Sequence, residues 1–305
     1  EVLTRSTIKY TIKAIVDEVR EGKRKPMDLL DLKILEPAVG AAAFLNEVIN
    51  QLAEAYMTYV EKKPAPDRYR DELQKVKAYI ATHNVYGVDL NPTAIELGKL
   101  SLWLNVIHKD METPFFANRL TVGNAVIGAW LKVYARNEVL AKKGRTKLEA
   151  NEWWTKAPHK VKFGRTRVNR FVNEVYHFLL PDKAMLAALG LKDMKKEHAT
   201  EAKVMADRLK DWTAPIGEDQ FRTLQRLSAK IDLLLREAME TQVNIEHLTN
   251  NRRDIWPHEI PQDNMLFRAY DQAEKYAEKE RIFDTRYRHD NAYYKLKLVM
   301  DYWCA

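Results

Sequence analysis

Apolar residues at Ile8, Ile12, Ile15 and Val16 recur at helical spacing within Val2 to Val19, and the charged run Glu21 to Lys25, with Gly22, stops them. A leading helix is predicted. Leu29 to Leu35 is a short apolar run ending at Glu36-Pro37, and Phe44, Leu45, Val48, Ile49 and Leu52 then mark one helix face, which reads as strand, turn, helix. A second compact strand runs from Val85 to Asp89. Asn91-Pro92 opens a helix marked by Ile95, Leu100, Trp103, Leu104 and Ile107, the fixed φ and missing donor of proline suiting a first turn. A third strand, Arg119 to Val122, ends at Gly123-Asn124, and a fourth, Val172 to Leu180, ends at Pro181-Asp182. Strands alternating with helices predict an α/β fold, its parallel sheet covered on both faces.

Two stretches fall outside that alternation. Ala53 to Thr82 holds Pro64-Ala65-Pro66 between two helical segments and reads as an insertion. Beyond Lys183 the pattern turns helical, with Phe221, Leu224, Leu227, Ile231, Leu234 and Leu235 in one stripe and Leu266, Tyr270, Ala273 and Tyr276 in another. Tyr293, Tyr294, Tyr302 and Trp303 make the end aromatic; such stripes read as core packing and not as base-stacking platforms. His177, inside the fourth apolar run, reads as a core histidine. The expected division is a core over 1–185, with the insertion at 53–83 and a basic segment at 131–170, followed by a helical domain over 186–305.

Composition narrows the class. A chain of 305 residues, 46% hydrophobic and 30% charged, exceeds what one ordinary core needs and is not that of a disordered protein. No run approaches the roughly 18 to 20 apolar residues of a membrane span, and no basic-then-apolar signal pattern opens the chain, so a cytoplasmic location is expected. The start at Glu1 and the end inside an apolar run suggest a piece of a longer protein. The single Cys304 excludes an internal disulfide, a multi-cysteine zinc site and a proline-cysteine nucleophile, and no metal site is expected. Net charge is +7, but residues 131–170 hold 12 Lys/Arg against three acids, so the remainder is slightly acidic. Trp130, Trp153 and Trp154 lie beside or within this segment. Cations at that density suit a phosphate-tracking surface as well as a solvated loop.

Ligands of an α/β sheet sit at the carboxyl ends of its strands, and three ends here carry suitable groups. Glu36 is followed by Pro37 and a run of small residues to Ala43, which lets backbone amides approach a ligand while the acid accepts from an ammonium or hydroxyl. Asp89 stands where an acid takes both hydroxyls of a ribose. Asn124 offers an amide to an adenine edge. Together they describe a nucleoside with an amino-acid tail.

The run Glu36-Pro-Ala-Val-Gly-Ala-Ala-Ala-Phe-Leu45 resembles the Asp/Glu-Pro-x-x-Gly-Ser-Gly-x-Phe-Leu loop of class I S-adenosylmethionine-dependent DNA amino-methyltransferases. Gly87-Val-Asp-Leu-Asn-Pro92 is similar to their second motif and Gly123-Asn-Ala-Val-Ile-Gly128 to their third. Glu1 to Thr7 matches the place of their cofactor-covering amino-terminal segment. The look is closest to the large methyltransferases of DISARM and BREX phage-defence systems, over roughly residues 1 to 130. The resemblance implies a Rossmann-like sheet and S-adenosylmethionine as cofactor. It assigns Glu36 to the methionine ammonium, the Ala38 and Gly40 backbone to the floor, Asp89 to the ribose and Asn124 to the adenine. Thr4, Pro37, Phe44, Leu90 and Ala125 complete the implied cofactor set.

This sequence departs from the pattern in places. Ala41 and Ala42 replace Ser and the second Gly, Asn124 stands for the more usual Asp, and 53 positions separate Glu36 from Asp89. The family's Asp/Asn-Pro-Pro-aromatic catalytic motif is missing, since no Pro-Pro occurs. Pro181 and Asp182, after the fourth strand, are the replacement candidates, although such a pair is commonly a turn and helix cap. The implied partners are DNA, contacted through Lys156, Lys160, Lys162, Arg165, Arg167 and Arg170, and other defence-system proteins. Two readings stay open: an adenine-directed DNA methyltransferase serving as the modification arm of a defence system, and a cofactor-binding, catalytically silent DNA-recognition subunit. Methylation of RNA or protein is a third.

Overall fold

The computed structural model of the chain describes residues 2–109, 111, 114–143, 148–149, 151–164, 168–182, 189–249, 255–257, 277–278, 280–281 and 283–304. It falls into two compact units, Glu1–Val126 with Asn244–Thr285, and Ile127–Val243 with Arg286–Ala305. The expected division placed its boundary at 185; the first unit's leading segment ends at Val126. The helix expected around Leu266 to Tyr276 lies outside the described residues.

The first unit opens with α1 (Val2–Arg20), which buries Ile8, Ile12 and Val19. Pro26 then starts a 3-10 turn over Pro26–Asp31, closed by the Lys25 N–H on Asp28 Oδ2 at 3.0 Å. That turn takes up Leu29 and Leu30, so β1 is the short Ile34–Glu36 and not the whole predicted Leu29 to Leu35. Next come α2 (Ala43–Tyr59), α3 (Tyr69–His83), β2 (Val85–Asp89), α4 (Pro92–Val106) and β3 (Leu120–Val122). The three strands are parallel, in the order β1-β2-β3, with Glu36 opposite Gly87 and Asp89 opposite Val122. Period-2 alternation turns Ile34, Val85, Gly87 and Leu120 to one face, where the core lies. The other face is not sealed as predicted, since Leu35 is 62% exposed and Thr121 is exposed.

The stretch read as an insertion contributes to this core. Tyr56 and Met57 of α2 and Val76, Ile80 and Ala81 of α3 are buried with the strand residues. The Tyr56 hydroxyl donates to the Trp256 carbonyl at 2.8 Å, tying in the other segment of the unit. Helix α4 is apolar nearly all round, and of its predicted marks only Ile95 is buried. Gly98, Leu102 and Val106 share the core with it, while Leu100, Trp103, Leu104 and Ile107 are 40–62% exposed. An all-apolar helix carries no sequence signal for which side faces inward.

The second unit is built on an antiparallel sheet of β4 (Lys132–Ala135), β7 (His159–Lys160) and β10 (Glu174–Tyr176), in the order β10-β4-β7. Around it lie α5 (Arg136–Val139), the pair β5 (Lys142–Lys143) and β6 (Leu148–Glu149), and the pair β8 (Lys162–Phe163) and β9 (Val168–Asn169). Helices α6 (Lys192–Glu197), α7 (Ala199–Trp212), α8 (Glu218–Thr249, up to Val243 in this unit) and α9 (Ala292–Cys304) follow. The predicted fourth strand is thus β10, paired with β4 and not with the parallel sheet. Its apolar run could not reveal this, because strand character does not name a partner. Val133, Tyr176, Phe178, Ile231, Leu235 and Leu296 form one part of the core, and Tyr134, Trp153, Val175, Leu180 and Phe221 another. Among the described residues, no helix is long and apolar enough to cross a membrane.

His177 is a core histidine, 7% exposed, edge-on to Phe178 and Trp303, with Nε2 2.9 Å from the Trp130 amide nitrogen. Burial holds its imidazole below the ordinary histidine value. The unfolded chain therefore binds this proton more readily. The stabilising contribution is whole above the unfolded value of about 6.5 and is lost as pH falls through the lower folded one. Urea unfolding of the His177→Gln variant is expected to show a smaller loss of stability below pH 6.5 than the wild type does.

Candidate functional site

All three parallel strands end at one edge of the sheet; β1 and β2 end in residues singled out by the sequence, Glu36 and Asp89, and Asn124 follows two residues after the end of β3. At the end of β1 the Glu36 carboxylate accepts from the Ala38 N–H at 3.3 Å, which folds the side chain back over the start of its own loop. At the end of β2, Asp89 accepts from the Gly40 N–H on Oδ2 at 2.8 Å and from the Asn91 N–H on Oδ1 at 2.9 Å. The Val39 N–H reaches the Val88 carbonyl at 3.0 Å beside it. Asp89 therefore clips the loop after β1 to the end of β2. The Asn91 and Gly40 amides, with a smaller contribution from the Leu90 amide, hold its carboxyl below the ordinary aspartate value, so it is anionic at neutral pH.

Asn124, after β3, is exposed, and its Oδ1 accepts from the Val126 N–H at 2.8 Å, which leaves Asn124 at the start of a tight turn. Leu90, after β2, is 70% exposed and Val126, after β3, 85% exposed. Pro37, Ala38 and Ala125 are exposed, while Gly40 and Phe44 are half-buried. Thr4 is half-buried in the first turn of α1; its neighbour Arg5 accepts, through its carbonyl, a hydrogen bond from Gln51 of α2 at 2.9 Å. That contact lies two turns into α2, so no observation brings Thr4 to the strand edge.

The loop itself has an unusual backbone. Gly40 has φ +50° and Ala42, the N-cap of α2, has φ +64°. A left-handed alanine costs roughly 1 kcal/mol, and Ala42 supplies no side-chain cap, leaving the first amides of α2 without the usual partner. An alanine where a second glycine is usual would obstruct the loop if its methyl faced the ligand. It does not, because Ala42 is fully buried and its methyl points into the packing with α4, where a Cβ on Gly98 would stand 3.6 Å from it. The ligand side of the loop stays small.

Gly98 is a residue that the sequence pattern does not single out. A Cβ there would also meet Leu120 Cδ1 at 3.1 Å and the Gly40 carbonyl at 3.3 Å, so its hydrogen is what lets α4 approach the loop. Gly98→Val is expected to cost about 1–3 kcal/mol, as overpacking does, measured by urea unfolding. Gly87 serves the same close approach on the sheet, where a Cβ would fall 2.7 Å from Val39 Cγ2.

The candidate DNA residues lie in the second unit and are not equivalent. Lys160, at the end of β7, and Lys162, at the start of β8, flank buried Val161 and are exposed, as is Lys156. Lys132 stands directly opposite Lys160 in the β4–β7 ladder. Like charges so placed are destabilising, and a bound anion would remove the cost. Arg170 has another task, its guanidinium closing on Asp232 at 2.6 Å with its side chain 5% exposed. Arg165 and Arg167 lie outside the described residues. Pro181 and Asp182 belong to the second unit, where the Pro181 carbonyl accepts from Trp153 Nε1 at 3.0 Å.

What this fold and edge define is a mixed α/β protein, mostly helical, with a small parallel sheet whose carboxyl edge presents two acids and an amide. Over 134 residues, 40% of this chain, it is 30% identical to a Methanocaldococcus jannaschii protein named "Putative type II restriction enzyme and methyltransferase". The match spans 10% of that protein's length. No protein-family model and no solved structure matches the chain.

Proposed function

We propose that the chain is the cofactor-binding part of an S-adenosylmethionine-dependent DNA methyltransferase, directed to the adenine amino group and serving as the modification component of a DISARM-like, BREX-like or restriction-modification defence system. One observation carries the reading: Asp89, anionic at the end of β2, clips the small-residue loop in place between Glu36 and Asn124. Glu36 would hold the ammonium of the cofactor, the uncapped first turn of α2 its carboxylate, Asp89 the ribose hydroxyls, and Asn124 the adenine edge. The bound cofactor supplies an electrophilic methyl group on a sulfonium. The burial of the Ala42 methyl away from the loop supports the fit, as does the similarity to a protein named as a methyltransferase. The opposed Lys132 and Lys160, with Lys156 and Lys162, support a polyanionic partner.

A specific observation favours the second reading, a cofactor-binding but silent DNA-recognition subunit. The Pro181 carbonyl already accepts from the Trp153 indole, and β10, which precedes it, pairs with β4 and not with the parallel sheet. Transfer of tritiated methyl from S-adenosylmethionine to unmodified DNA, followed by nucleoside mass analysis, separates the two. N6-methyladenine is the expected product. Cofactor binding with zero incorporation, even with partner proteins present, would leave the recognition role; RNA and protein acceptors assayed alongside test the remaining alternative.

A further inference from the structure

The second unit carries 27 Lys/Arg against 17 Asp/Glu, whereas the first carries 23 against 26, so the positive charge of the chain is gathered in one body. Within it, the turn between β9 and β10 bears two apolar side chains at its tip, Phe171 and Val172, 72% and 83% exposed. The turn is braced from several sides. The Arg170 guanidinium bonds Asp232 of α8 through Nε and Nη2 and the Phe171 carbonyl through Nη1 at 3.0 Å, and Gln225 Nε2 donates to the Val172 carbonyl at 3.0 Å. The Phe171 N–H reaches Glu174 Oε2 at 3.0 Å. Side-chain hydrogen bonds of this kind, anchored on the buried Arg170 side chain, that hold two apolar residues out in water are unexpected in a turn whose only task is to connect strands.

Beside the tip runs an open groove of about 740 Å³, lined by Val172 and by Arg222, Arg226, Gln225 and Asp219 of α8. Arg222, Arg226 and Lys230 recur every four residues and are exposed, forming a cationic stripe along the helix. Glu218, 3.9 Å from Arg222, is shared with Arg136 at 2.6 Å, so it offsets Arg222 only in part.

We propose that this tip and stripe are a duplex-DNA contact in which Arg222, Arg226 and Lys230 hold phosphates while Phe171 enters a base step and unstacks it. The inference rests on the proposed DNA substrate and adds to it the element that distorts the duplex. Rigid presentation of an exposed aromatic is what a wedge needs, because the unstacking must be met by contacts that are not themselves ordered on binding. A groove that carries Arg222 and Arg226 beside Val172, the neighbour of Phe171 in the turn, favours a polyanion over an apolar protein partner.

The test uses the full chain and two labelled duplexes of one sequence, fully paired or with a central mismatch that is already partly unstacked, in anisotropy titrations across a salt series. The wild type is expected to favour the mismatched duplex by about tenfold. Phe171→Ser, at a site exposed enough to leave folding intact, should erase that preference and keep the salt slope. Arg222→Gln with Arg226→Gln should lower the slope of log K against log salt by roughly 2 and keep the preference. Phe171→Ser retaining the preference, or an unaltered slope in the arginine variant, overturns the inference while wild-type DNA binding preserves the DNA reading. A wild type that binds neither duplex overturns both.

Discussion

Replacing Asp89 by alanine is expected to lower the affinity for S-adenosylmethionine by roughly 100-fold or more. Two charge-assisted hydrogen bonds to the ribose, at about 1.5–3 kcal/mol each, account for a loss of that size, since about 1.4 kcal/mol is tenfold. The variant also frees the Gly40 and Asn91 amides that the carboxylate now receives, so the loop after β1 loses its clip. Asp89→Asn is the sharper probe. Its amide has one oxygen where the carboxylate has two, and its NH2 group would face one of the two backbone donors. Isothermal calorimetry checks both variants. Unchanged binding in Asp89→Ala would remove the pocket from the strand edge and with it the proposed function.

The largest stability effect is expected in the second unit, at Asp232. Arg170 is buried against it, and the Tyr176 hydroxyl donates to Asp232 Oδ1 at 2.8 Å while Arg170 reaches both of its oxygens. Asp232→Ala leaves the phenol without its acceptor and the guanidinium with backbone carbonyls in place of its counter-ion, which for a broken buried pair costs about 3–5 kcal/mol. Replacing Arg170 and Asp232 together by methionine and leucine should cost less than Asp232→Ala alone, because no buried charge remains unpaired. Urea unfolding followed by circular dichroism measures both, and a cost below about 1 kcal/mol for Asp232→Ala would mean that water reaches the guanidinium. Because Arg170 also grips the turn at Phe171, the same variant should slacken that tip.

Much of the strand edge proposed to hold the cofactor is legible in the amino-acid sequence. Local rules suffice for it: an apolar run of strand length, a break at proline or glycine, and an acid or amide at the break, as at Glu36, Asp89 and Asn124. Asn91-Pro92 starts α4 as the pattern predicts, with Asn91 Oδ1 accepting from the Thr93 N–H at 2.9 Å. The charge of the 131–170 segment is equally plain, because it is a count.

Relations across sequence distance are not legible in the same way. Arg170 reads as one more cation of a basic segment, yet Asp232, 62 positions away, holds it. The Val172 to Leu180 run carries a strand's pattern but names no partner, and β4 takes it. Whether the Ala42 methyl blocks the loop depends on where a left-handed backbone aims a Cβ, and on a glycine in α4 that leaves room for it. By itself, the sequence determined which short segments end in an acid or an amide, because turn chemistry and alternation act between near neighbours. Only tertiary packing decided which of the charged groups face water and which face each other, because that choice is made by contacts no local pattern encodes.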